Sequence, residues 1–400
     1  MSSTMLQTIS PQAHALGFDP VLLERVARKV QSDVEGMRYD GARIMVARHG
    51  QTVLDLTVGY ADRDKNRPLA PDAVFSVMSI SKVMTAIALL QCVERGDLSL
   101  LTPVAQIIPE FAQRGKALVT VGQILTHTAG LGMAQAPLPV DQIGQLDKSV
   151  AAICALPLES SPGELVSYSA MTGYTILGEV IRRLDARGRP LRKILEQDVF
   201  VPLGMKDTVW GLRESLAARR VPVVVRDSDA PELNRKFLSD RDQGVIESTE
   251  LPSGGATFST AQDILRMGEA LRQGGALDGA RVLSPAMIEL MTKNQTGDKP
   301  NSMMNSSRAL HGMAPFPAFL GLGVFLRGEG IFPSHMATLC SPSTFGGWGL
   351  GSMGFWVDPQ RDITFVALTS GIMERIRNLI RFQALGDIVL SSMRSEEHTS

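Results

Sequence analysis

Strand patterns lie near both ends of this 400-residue chain, and the long segment between them is patterned mainly for helices. Residues 44–58 read as two β-rich strands broken at 49–51, which predicts a hairpin. Residues 353–357 and 363–369 repeat this pattern, with a turn at 358–360 between them. Paired strands at the two ends of one chain predict a single antiparallel sheet assembled from both ends, with the helical segment inserted between them.

We therefore predict an α+β fold in which an antiparallel sheet is flanked by helices and adjoins a mainly helical lobe. The α/β lobe would comprise residues 1–75 and 250–393, and the helical lobe residues 76–249. Hydrophobic residues make up 44% of the chain and charged residues 20%, which supplies a large core and excludes a disordered chain. A functional site is expected at the seam between the two lobes.

Local signals place several helix ends. Asp19 followed by Pro20 predicts the start of a helix, because aspartate caps the first N–H groups and proline suits the first helical position. Ser259 is predicted to cap a helix that Gly274 ends, and Ser284 to cap a shorter one. The last helix is predicted over residues 373–390.

The final seven residues, 394–400, do not look like part of the fold. Their sequence is what a common sequencing adapter encodes in one reading frame, so we expect them to be an artefact tail and leave them out of the fold.

Charge and composition exclude several classes of partner. Forty basic and forty-one acidic residues leave a formal charge of −1, and no basic run resembles a nucleic-acid-binding stripe. The first ten residues lack the pattern of a signal peptide, and the longest apolar stretch, residues 83–93, is about half the length that spans a bilayer. We expect a soluble, cytoplasmic protein with no nucleic-acid or membrane partner; the oligomeric state is not predicted.

The cysteines and histidines do not predict a metal or redox site. Cys92, Cys154 and Cys340 have neither zinc-ligand spacing nor the density of a disulfide scaffold. His49, His311 and His335 also lack the spacing of metal ligands. We expect no metal and no cofactor.

The candidate for chemistry is the segment Ser79-Ile80-Ser81-Lys82. Positions i and i+3 share a helix face, so the Ser79 hydroxyl and the Lys82 amine can approach each other. A desolvated lysine can act as a base towards a serine, and the N-terminal end of a helix favours developing negative charge. Alone the motif carries no weight, because a chain of this composition contains about one such match by chance.

Other motifs stand before and after the serine-lysine motif. Their order along the chain makes a chance match of the serine-lysine motif less probable. They are Val74–Met78 before it, then residues 125–131, 161–164, 168–169, 173–178, 202–208 and 345–352. In this order and spacing the chain resembles the β-lactamase-like serine hydrolases, which include class C β-lactamases, DD-peptidases and family VIII carboxylesterases. The resemblance covers residues 15–390 and implies the two-lobe β-lactamase/transpeptidase fold.

The resemblance also implies roles for individual residues. Ser79 is expected to be the acylated nucleophile, Lys82 its proton partner and Tyr168 the second acid or base. A tyrosine phenol acts as a base only where nearby cations favour its ionised form, and Lys82 would supply that charge. The oxyanion hole would combine the Ser79 main-chain N–H with one from a strand that starts near Gly349 or Leu350.

Two departures from the β-lactamase pattern favour esters. Ala170 stands two residues after the tyrosine, where β-lactamases usually carry asparagine. The third motif reads Gly347-Trp348-Gly349 or, shifted by one residue, Trp348-Gly349-Leu350, and neither reading supplies a cation for a lactam carboxylate. A tryptophan-glycine version of this motif is similar to the carboxylesterase branch, where Trp348 would contact substrate; packing alone also explains a tryptophan here.

Two further groups of residues remain open to a structural interpretation. His127, in a Thr-His-Thr turn, is expected to hydrogen-bond the local backbone rather than to catalyse. An apolar acyl pocket could be lined by a set of methionine and phenylalanine side chains, which would equally serve as core filling: Met303, Met304, Met313, Phe316 and Phe319.

We predict a serine carboxylesterase that hydrolyses short-to-medium acyl esters through an acyl-enzyme on Ser79, with a small-molecule ester as its partner. The alternative within the superfamily is a β-lactamase or a D-amino-acid peptidase or amide hydrolase. The alternative from another class is a catalytically silent scaffold that keeps the hydrolase fold.

Overall fold

The computed structural model describes residues 5–132, 138–139, 141–227 and 235–394. Arg394 is the first residue of the expected artefact tail, and residues 395–400 lie outside the described residues. The predicted antiparallel sheet, assembled from both ends of the chain, is confirmed.

The strands form one large antiparallel sheet and two small ones. In the described part of the chain the strands are β1 Met5–Ile9, β2 Gly41–Arg48, β3 Gln51–Asp62, β4 Arg67–Pro68, β5 Phe75–Ser76, β6 Val209–Trp210, β7 Thr257–Ser259, β8 Ala276–Leu277, β9 Ala280–Arg281, β10 Phe325–Leu326, β11 Phe345–Gly349, β12 Met353–Asp358 and β13 Ile363–Ser370. The large sheet has the order β1-β3-β2-β13-β12-β11-β10, with β4 paired to β3. Strands β2 and β13 join the two chain ends through the register Ile363 to Arg48.

The helices cover both faces of the large sheet and form the segment inserted between its two halves. Over the described residues they are α1 Pro20–Glu35, α2 Ser81–Glu94, α3 Val121–Leu125, α4 Leu146–Ala155, α5 Gly173–Leu184, α6 Leu191–Leu195, α7 Glu214–Ala217, α8 Arg235–Gln243, α9 Ala261–Arg272, α10 Pro285–Met291, α11 Asn305–Leu310 and α12 Arg375–Ser391. Helices α1 and α12 pack together, and α9 packs on β2, β12 and β13.

Strand β2 is buried along its whole length because both of its faces are covered. Ile44 and Val46 belong to the apolar cluster that includes side chains of α1 and α12. Met45 and Ala47 belong to the cluster that includes α2 and α9. Successive side chains of a strand point to opposite faces, so one short segment anchors both layers.

Helix α2 is the apolar centre of the inserted segment. Almost all of its residues from Ser81 to Cys92 are buried. A helix that is apolar on all sides needs cover on all sides, and α5 and α6 pack against it. The 3-10 turn Met78–Ile80 leads directly into α2 and contacts β11. The start of α2 is therefore fixed against the large sheet.

The predicted helix ends are partly confirmed. The Asp19 carboxylate accepts from the Val21 N–H at 2.8 Å, as expected of a cap. The cap predicted at Ser259 is wrong: Ser259 ends β7, and the next residue, Thr260, accepts from the Asp263 N–H. Ser259 and Thr260 are both residue types that cap helices. Ser259 pairs with Phe75 of β5 and so belongs to the strand, which leaves Thr260 as the cap.

The edges of the large sheet differ from the predictions. Strand β1 is not predicted from the sequence, and neither is β11 over Phe345–Gly349, where three of the five residues are glycine. Strand β11 ends at Gly349, whereas a strand was predicted to start there. No helix in the described part of the chain is long and apolar enough to cross a membrane.

Helix α9 packs so closely on the large sheet that Gly268 leaves no room for a side chain, which gives a test of the packing. A Cβ added at Gly268 would lie 2.6 Å from the Thr364 Cγ2. We expect Gly268→Ala to lower the free energy of unfolding by about 1–3 kcal/mol, because the stiff, buried threonine cannot move aside. Urea denaturation of the two single variants and the double variant measures this.

The matched control is the same alanine in a Thr364→Ala background, where the clashing methyl group is absent. There Gly268→Ala should cost much less than in the wild type. Equal costs in the two backgrounds would contradict the packing of α9 described here.

Candidate active site

Ser79 lies at the junction of the helical segment and the large sheet. It is the middle residue of the 3-10 turn Met78–Ile80, and α2 follows directly. Main-chain N–H groups at such a start have no intrahelical acceptor. Met78 has a φ of 50°, a conformation that is uncommon for a residue other than glycine and is frequent at functional sites.

Lys82 is buried, and its Nζ makes three contacts. It donates to the Ala170 carbonyl at 2.9 Å and to the Ser253 carbonyl, and it lies 3.1 Å from the Ser79 Oγ. Carbonyls only accept, so two of the tetrahedral positions on Nζ must carry protons. The third position faces Ser79. As an ammonium Lys82 donates to the Ser79 hydroxyl, and as a free amine it accepts the hydroxyl proton.

Tyr168 meets Ser79 from another element. Its side chain lines the same pocket as Ser79, its hydroxyl lies near enough to the Ser79 side chain to interact with it, and the Lys82 Nζ lies 5.1 Å from the centre of its ring. Burial raises the pKa of Tyr168 to about 12, and the interaction with Ser79 and the charge of Arg375 oppose this only in part. Burial of Tyr168 therefore works against the expected ionisation of its phenol in the resting site, because desolvation disfavours the charged form. Tyr168 is a neutral phenol that can donate a proton.

His127 holds the Tyr168 segment on both sides. Its carbonyl accepts from the Ser167 N–H at 2.9 Å, and its Nδ1 accepts from the Ser169 N–H at 3.2 Å. The imidazole ring lies 4.4 Å from the Tyr168 ring, centre to centre. Burial and the nearby Lys82 charge lower the pKa of His127 to about 3, so the ring is neutral. His127 was expected to hydrogen-bond the local backbone. Its ring does bind a backbone N–H, but that of Ser169, which is distant in sequence.

Two glycines allow backbone to approach the nucleophile closely. A Cβ at Gly349 would lie 2.6 Å from the Val77 carbonyl oxygen and 3.3 Å from the Ser79 nitrogen. A Cβ at Gly254, whose φ is 121°, would lie 2.7 Å from the Met78 carbonyl. Only glycine fits at either place. The end of β11 consequently lies beside the Ser79 N–H, where an oxyanion hole requires a second donor.

The two other residues of the third motif point to different places. Trp348 is buried and lines the same pocket as Ser79, Lys82 and Tyr168. The Leu350 side chain instead packs in a separate apolar cluster with Leu238 and Ile372. A contribution of Leu350 to the site would thus come from its main chain.

The pocket around the nucleophile is mainly apolar. Besides Ser79, Lys82, Tyr168 and Trp348, its lining residues are Val83, Leu125, His127, Tyr174, Leu320, Gly323, Val324, Phe325 and Gly347. Ala170 packs against the apolar cluster that contains Tyr168 and Trp348, where an asparagine would present an amide. The pocket therefore suits a substrate with little charge near the reacting carbonyl.

Sequence reasoning missed Ser253 and Arg375. Ser253 supplies a carbonyl to Lys82, and a main-chain group leaves no sign in the sequence beyond the adjacent glycines. Arg375, the first residue of α12, donates to the Met303 carbonyl at 3.4 Å, and its charge lowers the pKa of Tyr168 against the effect of burial. It adds a cation that the third motif lacks.

Metal-ligand side chains do not gather in the described residues: no group of three or more histidine, cysteine, aspartate or glutamate residues there could hold a metal ion. The three cysteines are buried and free.

Comparison with known proteins gives the relationship. The sequence profile of the beta-lactamase family matches residues 26–373. The chain is 34% identical to esterase EstB of Burkholderia gladioli over 283 residues, which is 64% of this chain and 68% of that protein. It is 26% identical to the esterase/beta-lactamase LipL of Mycobacterium tuberculosis over 87% of this chain and 81% of that protein.

Solved structures share the fold. A penicillin-binding protein homologue from Caulobacter crescentus matches with a TM-score of 0.77 and 24% identity, covering 98% of this chain and 100% of that one. A family VIII carboxylesterase matches with a TM-score of 0.75 and 22% identity, over 98% and 100% of the two chains. The predicted β-lactamase/transpeptidase-like fold is confirmed, and the chain belongs to the beta-lactamase family of hydrolases.

Proposed function

We propose that this protein is a serine carboxylesterase that hydrolyses short-to-medium acyl esters through an acyl-enzyme on Ser79. The observation that carries the proposal is the contact of one hydroxyl with two proton-transfer groups, Lys82 at 3.1 Å and the phenol of Tyr168. A hydroxyl with a proton acceptor on one side and an acid near its leaving group is the arrangement that acyl transfer requires.

In the acylation step, Ser79 Oγ attacks the ester carbonyl while its proton passes to the Lys82 and Tyr168 pair. The carbonyl oxygen gains a negative charge, which the Ser79 N–H and the main chain at Gly349 or Leu350 stabilise. The tetrahedral intermediate collapses, the carbon–oxygen bond to the alcohol breaks, and the alcohol leaves with a proton from Tyr168 or Lys82. These two groups share their protons, so the first base is a property of the pair.

Deacylation reverses the same path with water in place of the alcohol. Water attacks the acyl carbonyl, its proton passes to the pair, and Ser79 leaves as a hydroxyl after taking a proton back. The buried, neutral Tyr168 supports this scheme because it starts with a proton to give.

The character of the pocket supports ester rather than lactam substrates. The resemblance implies a carboxylate-binding cation in the third motif, where this chain has Gly347 or Trp348, and an amide where Ala170 carries a methyl group. The names of two relatives, esterase EstB and a family VIII carboxylesterase, point the same way.

β-Lactam hydrolysis is the second candidate, and one observation favours it. Arg375 places a positive charge near enough to Tyr168 to lower the pKa of its phenol, and recognition of a lactam carboxylate needs a cation of this kind. One relative, the esterase/beta-lactamase LipL, carries both activities in its name.

Paired kinetics separate these candidates. For wild type and Ser79→Ala, we expect kcat/KM on p-nitrophenyl butyrate to fall by at least about a thousandfold in the variant, because the nucleophile is lost. Turnover of a chromogenic cephalosporin by the wild type should be weak or absent.

Ser81→Ala is the matched control, since this serine lies two residues further along the chain and its hydroxyl donates to the Pro252 carbonyl at 3.3 Å. It should keep ester activity. Faster cleavage of the cephalosporin than of the ester would support the lactam candidate, and a folded wild type that cleaves neither would support a silent scaffold.

Tyr168 should remain protonated throughout the working pH range, because burial places its pKa near 12. The phenolate absorbance at 295 nm of wild type and Tyr168→Phe should therefore coincide up to about pH 10, while the variant loses at least about a hundredfold in kcat/KM.

Tyr60→Phe, a replacement on β3 beneath Arg63, is the control that should keep its activity. One additional ionised tyrosine in the wild type at pH 8 would contradict a neutral Tyr168.

A further inference from the structure

A second pocket adjoins the catalytic pocket, and two residues line both. Phe325 and Trp348 line both spaces. The second pocket is open to solvent and encloses about 330 Å³ when the open part is included, and its other large apolar lining residues include Met304, Phe316, Phe332 and Leu379. Phe316 and Phe332 stack with their ring centres 5.8 Å apart, so one aromatic wall is held in place.

The position of this pocket relates it to one part of an ester. Strand β11 ends at Gly349 beside the Ser79 N–H, and β10 pairs with β11 through Phe325 and Gly346. The second pocket meets the catalytic pocket at Trp348, one residue before Gly349, and continues along β10 at Phe325 and Leu326. A group bonded to the reacting carbonyl would have to pass Trp348 and Phe325 to enter it.

Two side chains that line this apolar pocket are polar and buried, Ser334 and His335, and the Ser334 Oγ accepts from the Met336 N–H at 3.1 Å. His335 is 3% exposed, and its Nε2 has no hydrogen-bond partner among the described residues. The ring stands edge-on to Phe325 at 5.5 Å and lies 6.3 Å from Trp348. Burial lowers the pKa of His335 to about 3, so the imidazole is neutral. Buried polar atoms almost always have a partner, because an unpaired one loses its hydrogen bonds to water without a replacement.

We propose that the second pocket binds the acyl chain of the ester and that His335 hydrogen-bonds a hydroxyl group on that chain. The inference rests on the proposed function and narrows it to medium-chain hydroxyacyl esters. A neutral imidazole nitrogen either donates or accepts, depending on its tautomer, and a hydroxyl group can serve both cases. The hydroxyl must lie several carbons from the carbonyl, because the chain first passes Trp348 and Phe325.

The test compares acyl chains that differ only in a hydroxyl group. The substrates are p-nitrophenyl octanoate and its 3-, 6- and 8-hydroxy derivatives, with p-nitrophenyl acetate as the reference. We expect the wild type to prefer the 6- or 8-hydroxy ester over octanoate by about tenfold or more in kcat/KM, because a buried partner discriminates against a chain that lacks the group. No such preference is expected for the 3-hydroxy ester.

His335→Phe keeps an aromatic ring against Phe325 and removes the polar atoms. The ratio of kcat/KM for the 6- or 8-hydroxy ester to that for octanoate should therefore fall to about one. His335→Gln keeps a hydrogen-bonding group and should retain part of the preference, which separates recognition from a general effect on packing. His14→Phe, the same replacement at an exposed site, is the matched control and should leave every rate unchanged.

A second variant tests the pocket without touching its histidine. Ala318 lines the second pocket but not the catalytic pocket, and Ala318→Leu would fill part of the space. It should lower the ratio of octanoate to acetate turnover by about tenfold or more. An unchanged ratio in a folded variant would contradict acyl binding there.

The outcomes distinguish the two proposals. Hydrolysis of acetate without any hydroxyl preference in the wild type, or a preference that survives in His335→Phe, would overturn this inference and leave the esterase proposal standing. A folded protein that hydrolyses none of these esters would overturn the proposed function itself.

Discussion

The site is organised around the buried amino group of Lys82. Taking an ammonium group out of water is costly unless hydrogen bonds replace the lost hydration. Here the carbonyls of Ala170 and Ser253 and the hydroxyl of Ser79 do so. These three groups belong to segments about 90 residues apart in sequence, so one nitrogen joins the start of α2, the Tyr168 segment and the glycine turn before β7. Displacement of one segment removes one of these partners from the lysine, which couples the integrity of the site to the fold.

The second requirement is close contact between backbones at the junction of helix and sheet. Gly349 and Gly254 bring main chain from two sides to the Val77–Ser79 turn. The rigid sheet holds β11, and apolar packing on several sides holds α2. The nucleophile is thereby placed between two elements that cannot shift separately, and donors for the carbonyl oxygen can be set before substrate arrives. Donors held in this way need little reorganisation during the reaction, because folding of the chain has already positioned them.

Much of this organisation could be predicted from the sequence, where local patterns determine it. The hairpin at residues 49–51, the late pair of strands and the Asp19 cap follow from turn and capping chemistry and are present as predicted. The serine-lysine spacing on one helix face also brings the predicted groups together. What could not be predicted depends on tertiary contacts. The neutral state of Tyr168 follows from burial, the carbonyl of Ser253 has no side-chain signature, and a glycine-filled strand such as β11 lacks the β-branched pattern that marks strands.

The central claim is that the contacts of Ser79 with Lys82 and Tyr168 make this hydroxyl the nucleophile. Labelling with a fluorophosphonate followed by peptide mapping tests it most directly, because the reagent modifies only an activated serine. The structure predicts one label per chain, on Ser79, formed at least about a hundredfold more slowly in a folded Lys82→Met variant. A label on another serine, or full ester turnover by protein that carries no label on Ser79, would contradict the claim.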